Sequence, residues 1–352
     1  MNFRSAITYI TMIRAKVAIV LFLLLFSLPT FAQNLNLRYD STYVESSRDV
    51  MATRLFFSRK YTKLVAKVPE TQERLTLVPN TGLKMGLGFT YQDLTINASF
   101  PVSFLYPDKI GDWPGNLDLQ SHIYAPKVIV DFFGQFYNGY KIDAENRTYA
   151  DEDYLREDLR QMSLGINLNY LFFGDKLSIA AAWNQSSIQK KSAYSPFIGF
   201  EGYGGNMHGD SLLLPSNPET DVINFDRASY FMAGPNAGMA GTLVFWKSFY
   251  LTGVASVNLS GGYTKWRNVE EYKKWGVAPT YYLRGFFGYN GPRFSITTSY
   301  VYKNLNLIET GPYDQAVNTG DYRINFIYKI YAGKSFKQKF NKVNPVRIVI
   351  KE

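Results

Sequence analysis

The sequence predicts an all-β fold, a single antiparallel transmembrane β-barrel of about twelve strands (10–14), on three observations. Apolar residues alternate with small or polar ones over runs of 10 to 15 residues. Turn-forming residues separate these runs. Past the first 32 residues, no stretch reaches the ~18 consecutive apolar residues that a helical span needs.

The first element is a targeting segment. Arg14 and Lys16 precede an apolar run from Val17 to Leu28, followed by Pro29-Thr30-Phe31-Ala32. A basic start, a short apolar core and small residues before the cut define a secretory signal peptide over 1–32. As an uncleaved anchor, the run falls short of the ~20 residues of a bilayer span. Residues 33–334 then form the barrel domain, and 335–352 a basic tail expected on the periplasmic side.

Charge places the positive excess in that tail. Removing 1–32 takes away Arg4, Arg14 and Lys16 and no acid, so the net charge falls from +9 to +6. Lys334, Lys337, Lys339, Lys342, Arg347 and Lys351 face only Glu352 at the C-terminal end. The body is close to neutral, which argues against a nucleic-acid partner. An exported chain with no cysteine has no disulfide framework and no thiolate metal site, so a large core or a membrane must hold it. The 27 Tyr and 26 Phe suit strands, and Tyr also suits a membrane interface.

The clearest hairpin comes early. Leu83, Met85, Leu87, Phe89 and Tyr91 take one face against Gly82, Lys84, Gly86, Gly88 and Thr90. After Gln92-Asp93, Leu94, Ile96, Ala98 and Phe100 oppose Thr95, Asn97 and Ser99. Met162 to Phe172 repeats the unit, with a turn at Gly174-Asp175 leading into Leu177, Ile179, Ala181 and Trp183. Ala237 to Phe245 passes through Trp246-Lys247-Ser248 into Leu251 to Leu259. Asn290-Gly291 is a type I′ hairpin signal. Tyr322 to Ile330 closes the series.

The pattern fits a soluble β-barrel or sandwich with an apolar core, or a membrane barrel with an apolar exterior. Three features favour the membrane. The runs exceed the ~5–6 residues of soluble strands. Tyr91, Tyr170, Phe172, Phe245, Trp246, Tyr289 and Tyr302 cluster at strand ends, as girdles do. The non-apolar face carries Gly, Ser, Thr and Asn with few charges. Strands are expected near 52–66, 82–91, 93–103, 123–137, 158–173, 176–190, 194–206, 229–246, 249–264, 275–290, 292–305 and 319–333. Long connections fall at 104–122, 138–157, 206–228 and 306–318. One point is inconsistent: the turn at 174–175 falls on the opposite side from those at 92–93, 246–248 and 290–291. The tail is not obviously strand, although Ile348-Val349-Ile350 could pair.

Several segments resemble a known family: Asp40-Ser41-Thr42-Tyr43-Val44, Arg54 to Thr62, Val78-Pro79-Asn80, Gln189-Lys190-Lys191-Ser192-Ala193 with Gly199, Ser211 to Pro215, and Pro235-Asn236-Ala237-Gly238. Together they are similar to the Bacteroidetes outer-membrane barrels grouped under domain of unknown function 4421. Tyr194 stands where a small residue is expected, and the basic tail is longer. The resemblance implies architecture and location. It implies no reaction and no catalytic residue.

Candidate chemistry is sparse. His122 and His208 sit at loop edges, and Ser121 beside the first and Asp210 near the second are weak handles for a lipid-modifying hydrolase. The reading expected for both is an exposed loop histidine. Gly199 to Gly205 lacks the lysine and helix of a phosphate loop and reads as barrel curvature. Asp131, Glu201, Arg284 and Arg323 fall opposite the apolar positions and are expected to face the lumen. There they either pair across a narrow interior or line a pore. No cofactor and no metal site is expected. Expected partners are outer-membrane lipid and the barrel-assembly machinery. The role stays open among a small-solute channel, a structural or surface-interaction barrel, a hydrolase and a soluble exported binding module.

Overall fold

The computed structural model describes residues 38–46, 50–67, 74–79, 82–92, 94–102, 117–142, 154–212, 225–267, 271–308 and 315–343. The expected signal peptide, Ile348-Val349-Ile350 and parts of the long connections lie outside these residues. In chain order the elements are β1 (Val44–Ser46), β2 (Val50–Lys67), β3 (Arg74–Pro79), β4 (Lys84–Tyr91), β5 (Leu94–Pro101), β6 (Leu117–Ala125), β7 (Val128–Ile142) and β8 (Tyr154–Leu171). There follow α1 (Ile179–Trp183), β9 (Ser187–Gln189), β10 (Ala193–His208), β11 (Arg227–Phe245) and β12 (Phe249–Arg267). The last are β13 (Glu271–Asn290), β14 (Phe294–Asn306), β15 (Gln315–Tyr331) and α2 (Lys334–Val343). Tyr39–Tyr331 forms one compact unit, and the residues from Ala332 onward belong to another.

All the ring's pairings are antiparallel. At the end that carries Val50 and Tyr331, twelve strands close the ring: β2, β4, β5, β6, β7, β8, β10, β11, β12, β13, β14, β15 and back to β2. The closing seam pairs β15 with β2 from Gln315↔Ala66 to Tyr331↔Val50. At the opposite end β4, β5 and β6 have stopped. There β3 bridges the gap, with Leu77 against Leu64 of β2 and Val78 against Lys141 of β7.

Period-two alternation decides the two surfaces of the wall. Leu87, Ile96, Leu164, Ile198, Val257, Leu283 and Ile324 are exposed on the outside, whereas Thr95, Asn97, Ser163, Asn167, Thr297 and Asn325 are buried inside. An apolar exterior around a polar interior is the transmembrane arrangement. No described helix is long and apolar enough to cross a membrane. Tyr91, expected among the exposed apolar positions, is buried at the strand end. Val257→Arg, halfway along β12 on the outer face, is expected to cost about 2–4 kcal/mol of unfolding free energy in lipid vesicles. Denaturant titration checks this, and a negligible cost would mean that this wall does not face lipid.

Two departures from the expected strands cancel in the count. The strand expected over 123–137 is two strands, β6 and β7, joined at Pro126-Lys127, where Ala125 pairs Val128 and Lys127 takes φ 67°. Proline presets the first turn position, but a lysine in the left-handed region carries none of the usual glycine or asparagine signal. The strand expected over 176–190 is not a strand of the wall; only the short β9 within it is extended, and it pairs with β1. Those residues fold into the barrel, which removes the inconsistency of the turn at 174–175. That turn lies on the same side as the others and opens an inward plug. Asn290-Gly291 also forms no two-residue turn, because Asn290 stays in the ladder opposite Ser295.

Candidate functional site

The lumen is filled in three layers. The lowest is the plug between β8 and β10. It enters where Gly174 passes so close to the β6–β7 turn that a Cβ would sit 2.5 Å from the Lys127 nitrogen. Ser178 caps α1 by accepting from the Ala181 N–H at 3.2 Å. Every residue of Ile-Ala-Ala-Ala-Trp is buried, and three small side chains let the helix fit inside the wall.

Polar wall residues hold the plug by its backbone. Arg54 donates to the Asn184 carbonyl at 3.0 Å, and Asn290 to those of Ala181 and Ser187 at 3.1 and 2.9 Å. The Gln185 amide reaches Thr297 at 2.9 Å, and that of Asn184 reaches Thr95 at 3.0 Å. β1, which is not a strand of the ring, pairs with β9, and the Lys190 N–H donates to the Tyr43 carbonyl at 2.7 Å. Lys176 and Lys191 lie over the Tyr43 ring at 5.5 and 5.4 Å. Hydrogen bonds from the Thr42 hydroxyl and N–H hold the Asp40 carboxyl below its ordinary pKa. The segments 40–44 and 189–192, which carry the sequence resemblance, thus meet at the plug.

The middle layer gathers the charges. His122 and Asp131 are register partners on β6 and β7, so both point inward, side by side. Asp131 Oδ1 accepts from His122 Nδ1 at 2.7 Å and from the Tyr124 hydroxyl at 2.6 Å. Its Oδ2 accepts at 2.6 Å from Arg284, which reaches across from β13. Lys303 of β14 donates to Glu201 of β10 at 2.9 Å, and Tyr203 donates to the same oxygen. Arg323 pairs with Asp321 at 2.9 Å and reaches Gln120 of β6 at 3.0 Å. Of the four expected charges, Asp131, Glu201 and Arg323 are buried and Arg284 is half-buried, and each has an opposite charge as partner. Buried pairs are costly to desolvate, so good geometry and extra donors are what hold them.

The plug joins this layer through Trp183. Arg284 lies 5.0 Å from its ring centre and Arg323 5.9 Å, on the attractive scale for a cation over an aromatic face. A cavity of about 100 Å³ remains beside Trp183, lined among others by His122, Asp131, Arg284, Lys303 and Asp321. It holds a few waters or a ligand of a few heavy atoms. The third layer, toward the β3 end, is apolar. Tyr137, Tyr140, Tyr203, Met232, Trp266 and Ile308 pack there in one buried cluster.

The histidine expectation needs correction. His122 is 5% exposed inside the lumen, because β6 begins where a loop was expected. Ser121, its neighbour, points to the other face of the same strand, so the two cannot cooperate. His122 Nε2 is buried without a hydrogen-bond partner among the described residues. His208 ends β10 at the opposite end of the barrel, opposite Arg160 and Arg227. Arg54, Lys303 and Asp321 were not singled out from sequence, although strand parity places all three on the inner face.

With the geometry in place, comparison adds a family. Residues 38–330 match the family described as Domain of unknown function (DUF4421). The chain belongs to it. No curated protein sequence matches this DUF4421 chain. Among solved structures, the outer membrane protease OmpT from Escherichia coli is similar over 81% of this chain and 98% of its own, at 8% identity and a TM-score of 0.43. The β domain of the Bordetella autotransporter BrkA covers 81% and 99% at 12% identity and a TM-score of 0.30. The COG4313 outer membrane channel from Pseudomonas putida F1 covers 80% and 95% at 9% identity and a TM-score of 0.31. Likeness at this level carries no residue's role to the DUF4421 barrel.

Proposed function

We propose that the protein is an integral outer-membrane barrel that works closed, as a structural or surface-interaction unit rather than a standing diffusion pore. The observation that carries this reading is the filled lumen: plug, paired charges and aromatic cluster lie in series along the axis. A pore needs a continuous polar path with unpaired charge to set selectivity, whereas Asp131, Glu201 and Arg323 here are tied to side chains around them. On this reading the host is a Gram-negative bacterium, of the Bacteroidetes on the strength of the sequence resemblance. Export runs through the signal peptide, insertion through the barrel-assembly machinery, and lipid is the permanent partner. Interaction would fall to the long connections at the end away from Val50 and Tyr331.

Planar-bilayer recording tests the reading. The purified wild-type barrel is expected to give no steady conductance at moderate voltage. A reproducible ohmic step from wild-type protein would overturn the closed-barrel reading in favour of the channel.

A further inference from the structure

We infer that Arg160 and Arg227 form an outer-wall site for the phosphate of an outer-leaflet lipid; the inference rests on the membrane reading above. The tilt of the wall gives the site its level. Followed strand by strand from Phe245 of β11, the row of register partners returns to β11 at Phe231, 14 residues nearer the loop end. That offset over twelve strands corresponds to a tilt of about 40° and a climb of about 2.5 Å per residue. On β12 the outward positions from Leu251 to Gly261 carry no charge. They cover about 25 Å of height, the thickness of a barrel's apolar band. Phe249 and Tyr289 lie below them, with ring centroids 5.4 Å apart. Phe231, Tyr263 and Trp275, partners in one row across β11, β12 and β13, stand above as the second girdle.

Basic residues crown that girdle. Arg160, His208 and Arg227 are register partners on β8, β10 and β11. Strand parity sets them on the outer face with Leu164, Phe200 and Phe231, and both arginines are exposed. The row climbs around the tilted wall, so Arg160 comes level with Tyr263 while Arg227 stands about 6 Å higher. Two strand spacings, about 10 Å, separate the arginines, with His208 between them. Both guanidinium forks can therefore close on one phosphate over the imidazole. Lys273 extends the patch on β13, 4.4 Å from the Tyr263 ring centre and 4.8 Å from that of Trp275. Among the described residues neither arginine nor Lys273 has an ion-pair partner, because Asp226 is taken by Arg267 and Glu271 by Lys265. Glu157 and Asp210 lie farther toward the loops. Unpaired cations at the upper girdle match phosphate headgroups in both level and charge. The even ring puts this end at the cell surface, so the phosphate is one of the outer leaflet.

Native mass spectrometry of the full barrel in detergent tests the site by titration with diphosphoryl lipid A and with its phosphate-free form. The phosphorylated lipid is expected to bind more tightly. Each arginine contributes a factor of about 5, so Arg160→Gln with Arg227→Gln should weaken it roughly 25-fold. The same double variant should bind the phosphate-free form as the wild type does, which also reports an intact wall. Arg59→Gln, at an exposed outer-wall arginine on β2, is expected to change neither lipid. Equal binding of the two lipids, an unchanged double variant, or an equal loss in Arg59→Gln would overturn the inference. Displacement of the lipid by an equal concentration of inorganic phosphate would overturn it in favour of a free-anion site. Flotation with phosphatidylcholine vesicles separates the two readings. A wild-type barrel that does not float overturns the membrane reading itself, whereas one that floats but ignores phosphate overturns the site alone.

Discussion

Trp183→Ala is expected to lower the unfolding free energy by about 3–5 kcal/mol, the range for deleting a large buried aromatic side chain. The indole sits where the plug meets the charged layer, 5.0 Å from the His122 ring and 5.2 Å from the Phe286 ring. Removing it opens a cavity and strips two guanidinium groups of an aromatic face. Trp246→Ala is the control: Trp246 is 81% exposed at a turn, and its loss should matter far less. Denaturant midpoints of the refolded barrels check both. Bilayer recordings on Trp183→Ala are expected to stay silent, because the outer cluster around Tyr140 and Trp266 remains. Steady conductance from this variant would show that the plug alone is the seal.

The second large effect belongs to Asp131. Asp131→Ala leaves the largely enclosed Arg284 side chain, across the lumen, without its carboxylate, and also strands His122 and Tyr124. Breaking a buried pair from one side costs about 3–5 kcal/mol. Asp131→Leu combined with Arg284→Met should recover much of this loss, since apolar pairs of similar volume often replace buried ion pairs without penalty. A double-mutant cycle in denaturant measures the coupling. If the double variant were as unstable as the sum of the two singles, the pair would not be acting as a unit.

Alternation made the wall legible because each strand has one face in lipid and one in the lumen. The plug was illegible for the same reason. Leu177, Ile179, Ala181 and Trp183 are all enclosed, so no contrast between faces separates a short helix from a strand. The hidden turn at Pro126-Lys127 had a further consequence. Missing it left β6 unread and His122 in a loop, although the histidine is the register partner of Asp131. Inward charges could be found by parity, but their partners could not. Which strands face each other across the lumen depends on ring closure, a property of the whole chain.

Ring closure also constrains how the molecule can be made. The seam joins Val50 to Tyr331, the two ends of the barrel sequence. Until the final strand arrives, the growing sheet has two raw edges and a full apolar face, a hazard for pairing with another chain. Contacts so distant along the chain close slowly, since loop entropy must be overcome before they form. The closing strand is thus the last to be synthesised, and every shorter nascent chain needs an escort.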